Sequence, residues 1–496
     1  MKIKPNSILN VLEKNTVISS QNLIQEILRI DNQKEASIRK KISRMVKEKQ
    51  IYKLNNINLK HNQKIYYLAA SFGSIIFWKK LVEILIKENS VYGHCIIALL
   101  NNNGILSKED LQIQCGSPEK LKKQTSFISI FHTLEQINLI KTYNDYIFLN
   151  LNENDISEEY QQQNILKLKF NMFISIITFY LRRFSLVSFN TVKYKHKVSN
   201  FYWDITAPSF INSLMRNEKC GFVVADYIHD LKEEFSILPF IHKVDIVKNT
   251  YPHNNIMFFL FSYEFLPHHL RLLRSKGISP VALKNFINIE NSKQLYTEPT
   301  EVYNQFVSFS KTNKEIFSDM KGKIFEFFTY MILHSILSNS SIKINYILYL
   351  DNDRNCHGKK IKKEIDFFCE NQDDNYYIEC KNKSRINQSD INQLETICKY
   401  IQKLYCENGK RLDKNIHIFL LSFNEINDQN IINEIQRLKT AYEYQEKYYS
   451  VEVNGYSICH YLDENLPKNS NRYALYMKEY NELKINIKKE NNNKFL

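Results

Sequence analysis

Two acidic residues and a lysine interrupt the apolar runs of one short stretch, KKEIDFFCENQDDNYYIECKNKS, at residues 362–384. Asp366 lies in the first run, and Glu379 and Lys381 lie in the second, after a polar turn. The pattern predicts a β-hairpin. Because Glu379 and Lys381 are two residues apart, we expect their side chains on one face of the strand, and Asp366 on the neighbouring strand can reach that face.

Converging carboxylates and an amine suit metal-assisted hydrolysis of a phosphate ester. Two carboxylates form an oxygen-rich site of the kind that Mg²⁺ prefers, with water and a substrate phosphate. A bound Mg²⁺ can activate the water, and Lys381 can orient it, help to deprotonate it or stabilise charge on the pentacovalent phosphate. Glu326, an isolated acid in the apolar helix at 321–337, is a candidate third oxygen ligand. The alternative is a surface hairpin with ordinary salt bridges.

The elements around this hairpin must position its charged side chains. A helix at 321–337 and a strand at 341–350 precede the hairpin. The patterns that follow it predict a helix, a strand, a helix and a last strand, at 391–407, 415–422, 430–444 and 456–462. This order predicts an α/β sandwich with a mixed central sheet over residues 315–465.

An earlier stretch, 165–285, follows the same plan and is interpreted as an internal repeat. It places Asp204 where the later copy has Asp366, and Asp226 where that copy has Glu379. The residue two past Asp226 is Ile228, so this copy lacks the lysine, and its opening helix has no counterpart of Glu326. The two acids are 22 residues apart in the first copy and 13 in the second. We therefore expect a copy that kept the scaffold and lost the chemistry.

The motif D-(x)12-E-x-K after a helix that carries a glutamate resembles the PD-(D/E)xK superfamily of restriction-endonuclease-like nucleases, and most of all its Mrr-like and archaeal resolvase-like branch. The resemblance covers residues 315–465, and Ile365 stands where the family's name has Pro. It implies Mg²⁺-dependent phosphodiester hydrolysis, with Asp366 and Glu379 as metal ligands and Lys381 as the catalytic lysine. It further implies Glu326 as an accessory ligand and Gln393 as an accessory polar residue.

Residues 7–68 predict three helices and a hairpin, an order that resembles a winged helix-turn-helix. The third helix, EASIRKKISRMVKEK, would enter the major groove of DNA, and a basic loop with Lys60, His61 and Lys64 would form the wing. Its candidate DNA-binding residues share one basic surface: Arg39, Lys40, Lys41, Arg44 and Lys47. The alternative is an amphipathic helix whose basic face is merely solvated.

A second copy of that plan spans about 92–150, with Ser107 and Asp110 as a variant capping box. Its third helix is less basic, so it suits either DNA contact or protein docking.

Composition fits an intracellular protein with a polyanionic partner. The 496 residues carry a net charge of +14, with 44% hydrophobic and 24% charged residues. Nine scattered cysteines without zinc-ligand spacing indicate reduced thiols. The N-terminus lacks an apolar signal core, and the apolar run at 170–181 is too short for a membrane span and predicts a buried helix. We expect a cytoplasmic, nucleoid-associated protein.

The predicted fold is multidomain, α+β and α/β. It comprises a winged helix-turn-helix at 1–72, a second winged helix at 73–155, a degenerate nuclease-like domain at 156–290, an active nuclease domain at 291–480 and a charged tail at 481–496.

The predicted function is that of a Mg²⁺-dependent endonuclease of double-stranded DNA, of restriction or defence type, in which Mn²⁺ can substitute. The alternatives are a junction-resolving or repair nuclease and a non-catalytic DNA-binding regulator on the same fold. One active site per chain cuts one strand, so cutting both strands requires a homodimer or two nicks.

Overall fold

A computed structural model describes most of the chain. The residues outside it are 1–4, 31–33, 58, 60–61, 144, 152–155, 189–190, 212–213, 216–219, 230, 253–254, 286–302, 304–313, 338–339, 355–359, 384, 408–412, 446–448 and 494–496. The chain divides into two compact units, one of Met1–Asp155 with Tyr180–Asn288 and one of Ile156–Phe179 with Ile289–Leu496. Most of the three domains predicted before residue 290 therefore belongs to a single unit.

The first module contains helices α1 (Pro5–Asn15), α2 (Ser20–Ile30) and α3 (Glu35–Lys47). Strands β1 (Val17–Ser19), β2 (Tyr52–Lys53) and β3 (Ile65–Tyr67) form a sheet in the order β1-β3-β2. The predicted helices and hairpin are present, and β1 was missed. Lys60 and His61 of the predicted wing lie outside the described residues.

The second module has the same kind of small sheet, in the order β4-β6-β5. Its elements are α4 (Ile75–Lys87), α5 (Val91–Leu100), β4 (Ile105–Ser107), α6 (Lys108–Gln114), α7 (Phe127–Gln136), β5 (Ile140–Tyr143) and β6 (Tyr146–Leu149). Ser107 Oγ accepts a hydrogen bond from the Asp110 backbone N–H (3.1 Å), so Ser107 caps the helix as predicted. Asp110 Oδ2 accepts from Ser107 Oγ (2.6 Å) and not from the Ser107 backbone N–H that a capping box would use.

The first α/β repeat forms a five-stranded sheet in the order β11-β10-β9-β8-β7. Its elements are α8 (Ile156–Arg183), β7 (Lys193–Val198), β8 (Phe201–Ser209), β9 (Gly221–Tyr227), α9 (Leu238–Thr250), β10 (Ile256–Ser262), α10 (Pro267–Ser275) and β11 (Ser279–Ala282).

The second α/β repeat forms a six-stranded sheet in the order β12-β13-β14-β15-β17-β16. Its elements are α11 (Lys314–Ile336), β12 (Ser341–Arg354), β13 (Lys360–Glu370), β14 (Asp374–Lys381), α12 (Gln388–Gln402), β15 (Asn415–Ser422), α13 (Gln429–Tyr442), β16 (Tyr444–Gln445), β17 (Ser450–Ser457), α14 (Ile458–Asn465) and α15 (Asn471–Asn493).

The two repeats share strand order and strand direction. In the first, β7, β8 and β9 are antiparallel neighbours, and β9, β10 and β11 are parallel neighbours. In the second, β12, β13 and β14 are antiparallel, and β14, β15 and β17 are parallel. The predicted internal repeat is thus confirmed in its topology.

Helix α8 begins in the second unit and ends in the first. In its first half, Asn164 Nδ2 donates to the carbonyl of Ile342 (2.5 Å) and Lys167 Nζ donates to that of Ile344 (2.9 Å), both in edge strand β12. Among the described helices, only the segment Asn164–Arg183 has the length and apolar composition of a membrane span, and half of its most apolar window is buried. Phe173 and Ile177 are fully buried, as the buried-helix prediction for 170–181 requires.

Two C-terminal predictions were wrong. The last strand is Ser450–Ser457, not 456–462, because Ser457 Oγ accepts from the His460 backbone N–H (3.2 Å) and caps helix α14. The boundary predicted at residue 480 falls inside α15, whose Tyr476 and Leu483 are buried. The predicted charged tail therefore begins within a packed helix.

Candidate active site

Asp366 and Glu379 occupy adjacent strands where the β13–β14 ladder ends. Its last paired residues are Phe367 and Ile378, so Asp366 and Glu379 are the next position on each strand. The backbone N–H of Cys380 donates to Asp366 Oδ2 at 2.7 Å and fixes this carboxylate against β14. On its other side β14 pairs in parallel with β15, so the acids lie where antiparallel pairing meets parallel pairing.

Asp366 is held in a strongly anionic environment. Burial and the charges of Glu379 and Glu326 raise the pKa of Asp366 to about 7, against the opposing effects of the Cys380 N–H and Lys381. The three predicted carboxyl groups are therefore close enough to interact electrostatically. The structure brings together the acids that sequence reasoning selected from α11, β13 and β14.

Glu379 is buried between two lysines. Its Oε1 accepts from Lys381 Nζ at 2.8 Å and lies 3.8 Å from Lys363 Nζ. Its Oε2 is buried and has no hydrogen-bond partner among the described residues. The expectation that Glu379 and Lys381 share a face is confirmed. A buried carboxylate oxygen without a donor or cation is costly, so Oε2 is suited to an added ligand.

Lys363 was missed by sequence reasoning. It lies three residues before Asp366, and residues at that spacing point to opposite faces of a regular strand. Its side chain is 20% exposed, and its Nζ nevertheless lies 3.8 Å from Glu379 Oε1. The available signal was its place in the run KKEID beside the motif aspartate.

Lys381 carries a positive charge at neutral pH. Burial acts to lower its pKa, but the hydrogen bond from Lys381 to Glu379 and the charges of Glu379 and Asp366 outweigh it, and the pKa is raised. In this state Lys381 is a hydrogen-bond donor and a source of positive charge, and it is not a base.

Glu326 reaches the cluster from helix α11. Its carboxylate accepts from Lys323 Nζ at 2.9 and 2.8 Å, and its side chain is 18% exposed. The Glu326–Lys323 pair lies at the i, i+3 spacing of neighbours on one helix face. This acid in an otherwise apolar helix is explained by its position beside Asp366.

Polar contacts fix the end of β14 to the helices on either side. Asn382 Nδ2 donates to the Lys321 carbonyl in α11 (2.7 Å). Lys383 Nζ pairs with the buried Asp390 (2.7 Å), and Asp390 forms a capping box with Asn387 at the start of α12. These contacts hold the segment that follows Lys381.

The oxygen atoms that the acid cluster offers as ligands suit a hard divalent cation. All three ligand candidates offer carboxylate oxygens, the atoms that Mg²⁺ prefers, and Glu379 Oε2 is already without a partner among the described residues. In the described part of the chain, no group of three or more His, Cys, Asp or Glu side chains is positioned to hold a metal ion. Lys323 and Lys381 hold oxygens of Glu326 and Glu379, so a cation would compete with these lysines.

The accessory predictions have mixed outcomes. Gln393 is half-buried on α12, and its Oε1 has no hydrogen-bond partner among the described residues, so its role at the cluster stays a prediction. Cys369 and Cys380 are buried in the core, as predicted.

The first repeat holds its acids in the same register. There the last ladder pair is Ile205 with Ala225, and Asp204 and Asp226 are the next positions. The Tyr227 N–H donates to Asp204 Oδ2 at 2.8 Å, as the Cys380 N–H donates to Asp366 in the second repeat. The predicted correspondence of the acid pairs is therefore confirmed, although the loops between them differ in length.

A lysine nevertheless lies beside the acids of the first repeat. Ile228 is buried at the motif position, but Lys243 on α9 places its Nζ 2.5 Å from Asp226 Oδ2 and 3.9 Å from the centre of the Trp203 ring. Burial and the charge of Asp226 hold the pKa of Asp204 well above its usual range. The motif lysine is absent, as predicted, and sequence reasoning missed that an amine is supplied instead from a helix, 17 residues further along the chain than Asp226.

This second cluster is closed to substrates. Asp204, Asp226 and Lys243 are each at most 2% exposed. Lys243 also donates to the Ile113 carbonyl of α6 (3.2 Å), in the second module. A Cβ on Gly116, just after the end of that helix, would clash with the Pro239 carbonyl oxygen of α9. The second module is thus packed directly over the acids of the first repeat.

The predicted DNA-binding residues form a basic surface on α3. Arg39, Lys40, Arg44 and Lys47 are exposed, and Lys41 is half-buried. Arg39 differs from the others in that its guanidinium pairs with Glu35 at 2.5 Å, one turn earlier. The opposite face of α3 packs in the core through Ile38, Ile42 and Met45. The four exposed basic residues therefore point away from that core.

No protein-family model, curated protein or solved structure matched the chain. Function must therefore be inferred from the geometry of the site and from the contrast between the two repeats. The second repeat has a partly exposed acid cluster flanked by lysines, and the first has a fully buried one.

Proposed function

We propose that the protein is a Mg²⁺-dependent endonuclease that hydrolyses phosphodiester bonds in double-stranded DNA. One observation carries the proposal: Asp366 and Glu379 lie side by side where β13 and β14 separate, with Glu326 nearby and with Lys381 2.8 Å from Glu379. A salt-bridged surface hairpin does not require three mutually repelling acids, one of them with a pKa raised to about 7.

Each residue has a distinct role in this proposal. Asp366, Glu379 and Glu326 would hold the metal, which on binding supplies an activated water and a polarised phosphoryl oxygen. Lys381, protonated beside Glu379, would donate to the oxygens on which negative charge develops. Lys363, 3.8 Å from the same carboxylate, would add positive charge for the phosphate backbone. Mn²⁺ suits the same oxygen donors.

DNA binding is proposed for the first module. Three helices, a small sheet and a basic third helix are the parts of a winged helix-turn-helix, whose third helix enters the major groove. The second module is proposed to be a winged helix that has become a docking module, since it packs on the first repeat through Ile113 and Gly116.

The first repeat is proposed to be a non-catalytic, nuclease-like scaffold. Lys243 pairs with Asp226, and the second module covers both acids. One active cluster per chain would nick one strand, so cleavage of both strands requires a homodimer or two successive events. A restriction or defence role follows from the family resemblance.

The test uses purified full-length protein with plasmid, methylated, branched and single-stranded DNA, in Mg²⁺ or in EDTA. We expect cleavage that requires Mg²⁺, is lost in Asp366→Ala and is strongly reduced in Lys381→Ala. Cleavage that survives EDTA, or that is unchanged in Lys381→Ala, would contradict the assignment. Binding of DNA without cleavage of any substrate would support the regulator instead.

A further inference from the structure

A cavity of about 340 Å³ lies beside the proposed active site. It is formed by the segments that follow β14 and β15, at Arg385–Ile386 and Glu425–Ile431. Arg385 comes four residues after Lys381. Ligands of open sheets with parallel strands bind beyond the carboxyl ends of those strands, where this cavity lies.

The two cavity-forming segments are joined to each other and to the end of the catalytic strand. The Phe423 N–H donates to the Lys381 carbonyl (3.1 Å). Asn424 Nδ2 donates to the Lys383 carbonyl (2.8 Å). The segments that form the cavity are therefore fixed in position relative to the end of the strand that carries Lys381.

The lining combines an apolar base with a charged rim. Ile386 and Ile431 are buried and belong to the core beneath the sheet. Arg385, Glu425 and Asp428 are exposed and surround them. Apolar surface with a few convergent polar groups suits a flat heterocycle that stacks on one side and forms hydrogen bonds at its edge.

The rim charges favour a base over a phosphate. Glu425 and Asp428 would repel a phosphate, whereas their carboxylates accept hydrogen bonds from the exocyclic amino groups of cytosine, adenine or guanine. Arg385 can donate to the ring and carbonyl acceptors of the same bases. Thymine has no amino group, so it matches this rim less well.

We propose that this cavity receives a single unstacked, amino-bearing base from the DNA strand beside the phosphate at the acid cluster. The inference rests on the proposed nuclease function and adds a base preference near the cut. Removing a base from the stack costs free energy, and recognition in a fitted pocket offsets that cost. When another module binds the duplex elsewhere, the contact with this base would determine which of the nearby phosphates is cleaved.

The test uses full-length protein in EDTA and oligonucleotides with the fluorescent base 2-aminopurine at successive positions. We expect fluorescence to rise at one position or two adjacent positions when the base leaves the stack. Asn427→Phe, at an exposed residue of the cavity lining, should remove this rise. The matched control Asn433→Phe, at an exposed residue further along α13 and outside the lining, should keep it.

Cleavage gives a second readout that separates the two proposals. Sequencing the ends of cleaved DNA should show an about ten-fold preference for an amino-bearing base at one fixed distance from the cut, absent in Asn427→Phe. No fluorescence rise in the wild type, or a rise kept in Asn427→Phe, overturns the base pocket even if Lys381-dependent cleavage is observed. A rise without any cleavage keeps the pocket and overturns the nuclease.

Discussion

The Cys380 N–H donates to Asp366 Oδ2 at 2.7 Å, and the Tyr227 N–H makes the same bond to Asp204 at 2.8 Å in the first repeat. In both repeats this bond places the first acid against the residue that follows the second acid. The two sites therefore hold the first acid in the same way and differ in their lysines, in their exposure and in the second acid, since Asp226 also accepts from the Asp204 N–H at 3.1 Å.

This correspondence gives a matched pair of substitutions. Asp366→Asn should abolish cleavage, because it removes a proposed metal ligand. Asp204→Asn should leave cleavage unchanged, since Asp204 is buried with a raised pKa and Asn can still accept from the Tyr227 N–H. Plasmid nicking with both variants checks this, and loss of cleavage in Asp204→Asn would assign catalysis to the first repeat as well.

The two lysines at Glu379 should differ in their kinetic effects. Lys381→Met should lower kcat by about 10²–10³-fold, as expected when one donor to a developing charge is removed. Lys363→Met should mainly raise KM, because a second cation further from Glu379 serves binding of the backbone. Steady-state kinetics on a defined duplex measure both. Equal losses of kcat would place Lys363 in the chemical step.

The raised pKa of Asp366 predicts how pH changes stability. In EDTA, folded Asp366 binds a proton up to about pH 7, whereas an unfolded aspartate loses it near pH 4. The folded state then binds more protons between these values, so the free energy of unfolding should fall as pH rises from about 4 to 7. Asp366→Asn should remove this dependence.

Mg²⁺ should counteract this pH dependence of stability, since a bound cation favours the ionised carboxylate of Asp366. Its affinity should rise with pH up to about 7 and then level off, with proton release on binding below that pH. Urea titrations with and without Mg²⁺, together with calorimetry in two buffers, measure these changes. A stability profile in EDTA that is identical for wild type and Asp366→Asn would exclude a raised pKa.

The buried pair of the first repeat should be important for folding. Lys243→Met leaves Asp226 without its ion-pair partner and should lower the free energy of unfolding by about 3–5 kcal/mol. Adding Asp226→Asn should recover much of that loss, because no unpaired charge remains. Urea denaturation of the single and double variants measures the coupling free energy between Lys243 and Asp226. Additive losses would mean that the two side chains do not depend on each other.

The basic surface of α3 should contribute unequally to DNA affinity. Lys40→Ala and Arg44→Ala should each weaken binding, and the slope of log affinity against log salt should become shallower by about 0.9 for each phosphate that is no longer neutralised. Arg39→Ala should have a smaller effect, since Arg39 is already paired with Glu35. Fluorescence anisotropy over a salt series checks this. Affinity unaffected by Lys40→Ala and Arg44→Ala together would exclude this surface.

Local patterns predicted the acid cluster because it lies on two strands that are adjacent in sequence. Alternation and spacing were sufficient to place Asp366, Glu379 and Lys381 together. Lys243 could not be found in this way, because its partner Asp226 is 17 residues away and only the packing of α9 on the sheet brings them together. Lys363 was missed because it lies three residues before Asp366, a spacing that predicts opposite faces of a regular strand.

The errors in secondary structure have similar causes. The run YSICHYL has strand-forming residues, but the Ser457 cap begins a helix within it. Strands β1, β4 and β7 were missed because the first two have three residues each and β7 carries four charged or histidine residues among six. Such strands depend on their sheet neighbours more than on their own composition.

The contacts of Asn164 and Lys167 with β12 also affect how the second unit can be isolated. A fragment that starts at residue 289 would lack both side chains and leave the carbonyls of Ile342 and Ile344 at an uncovered sheet edge. Exposed edges of this kind pair with other chains and promote aggregation. A fragment intended to carry the acid cluster of the second repeat alone would therefore need the 156–179 helix supplied as a separate peptide or rejoined through a new linker.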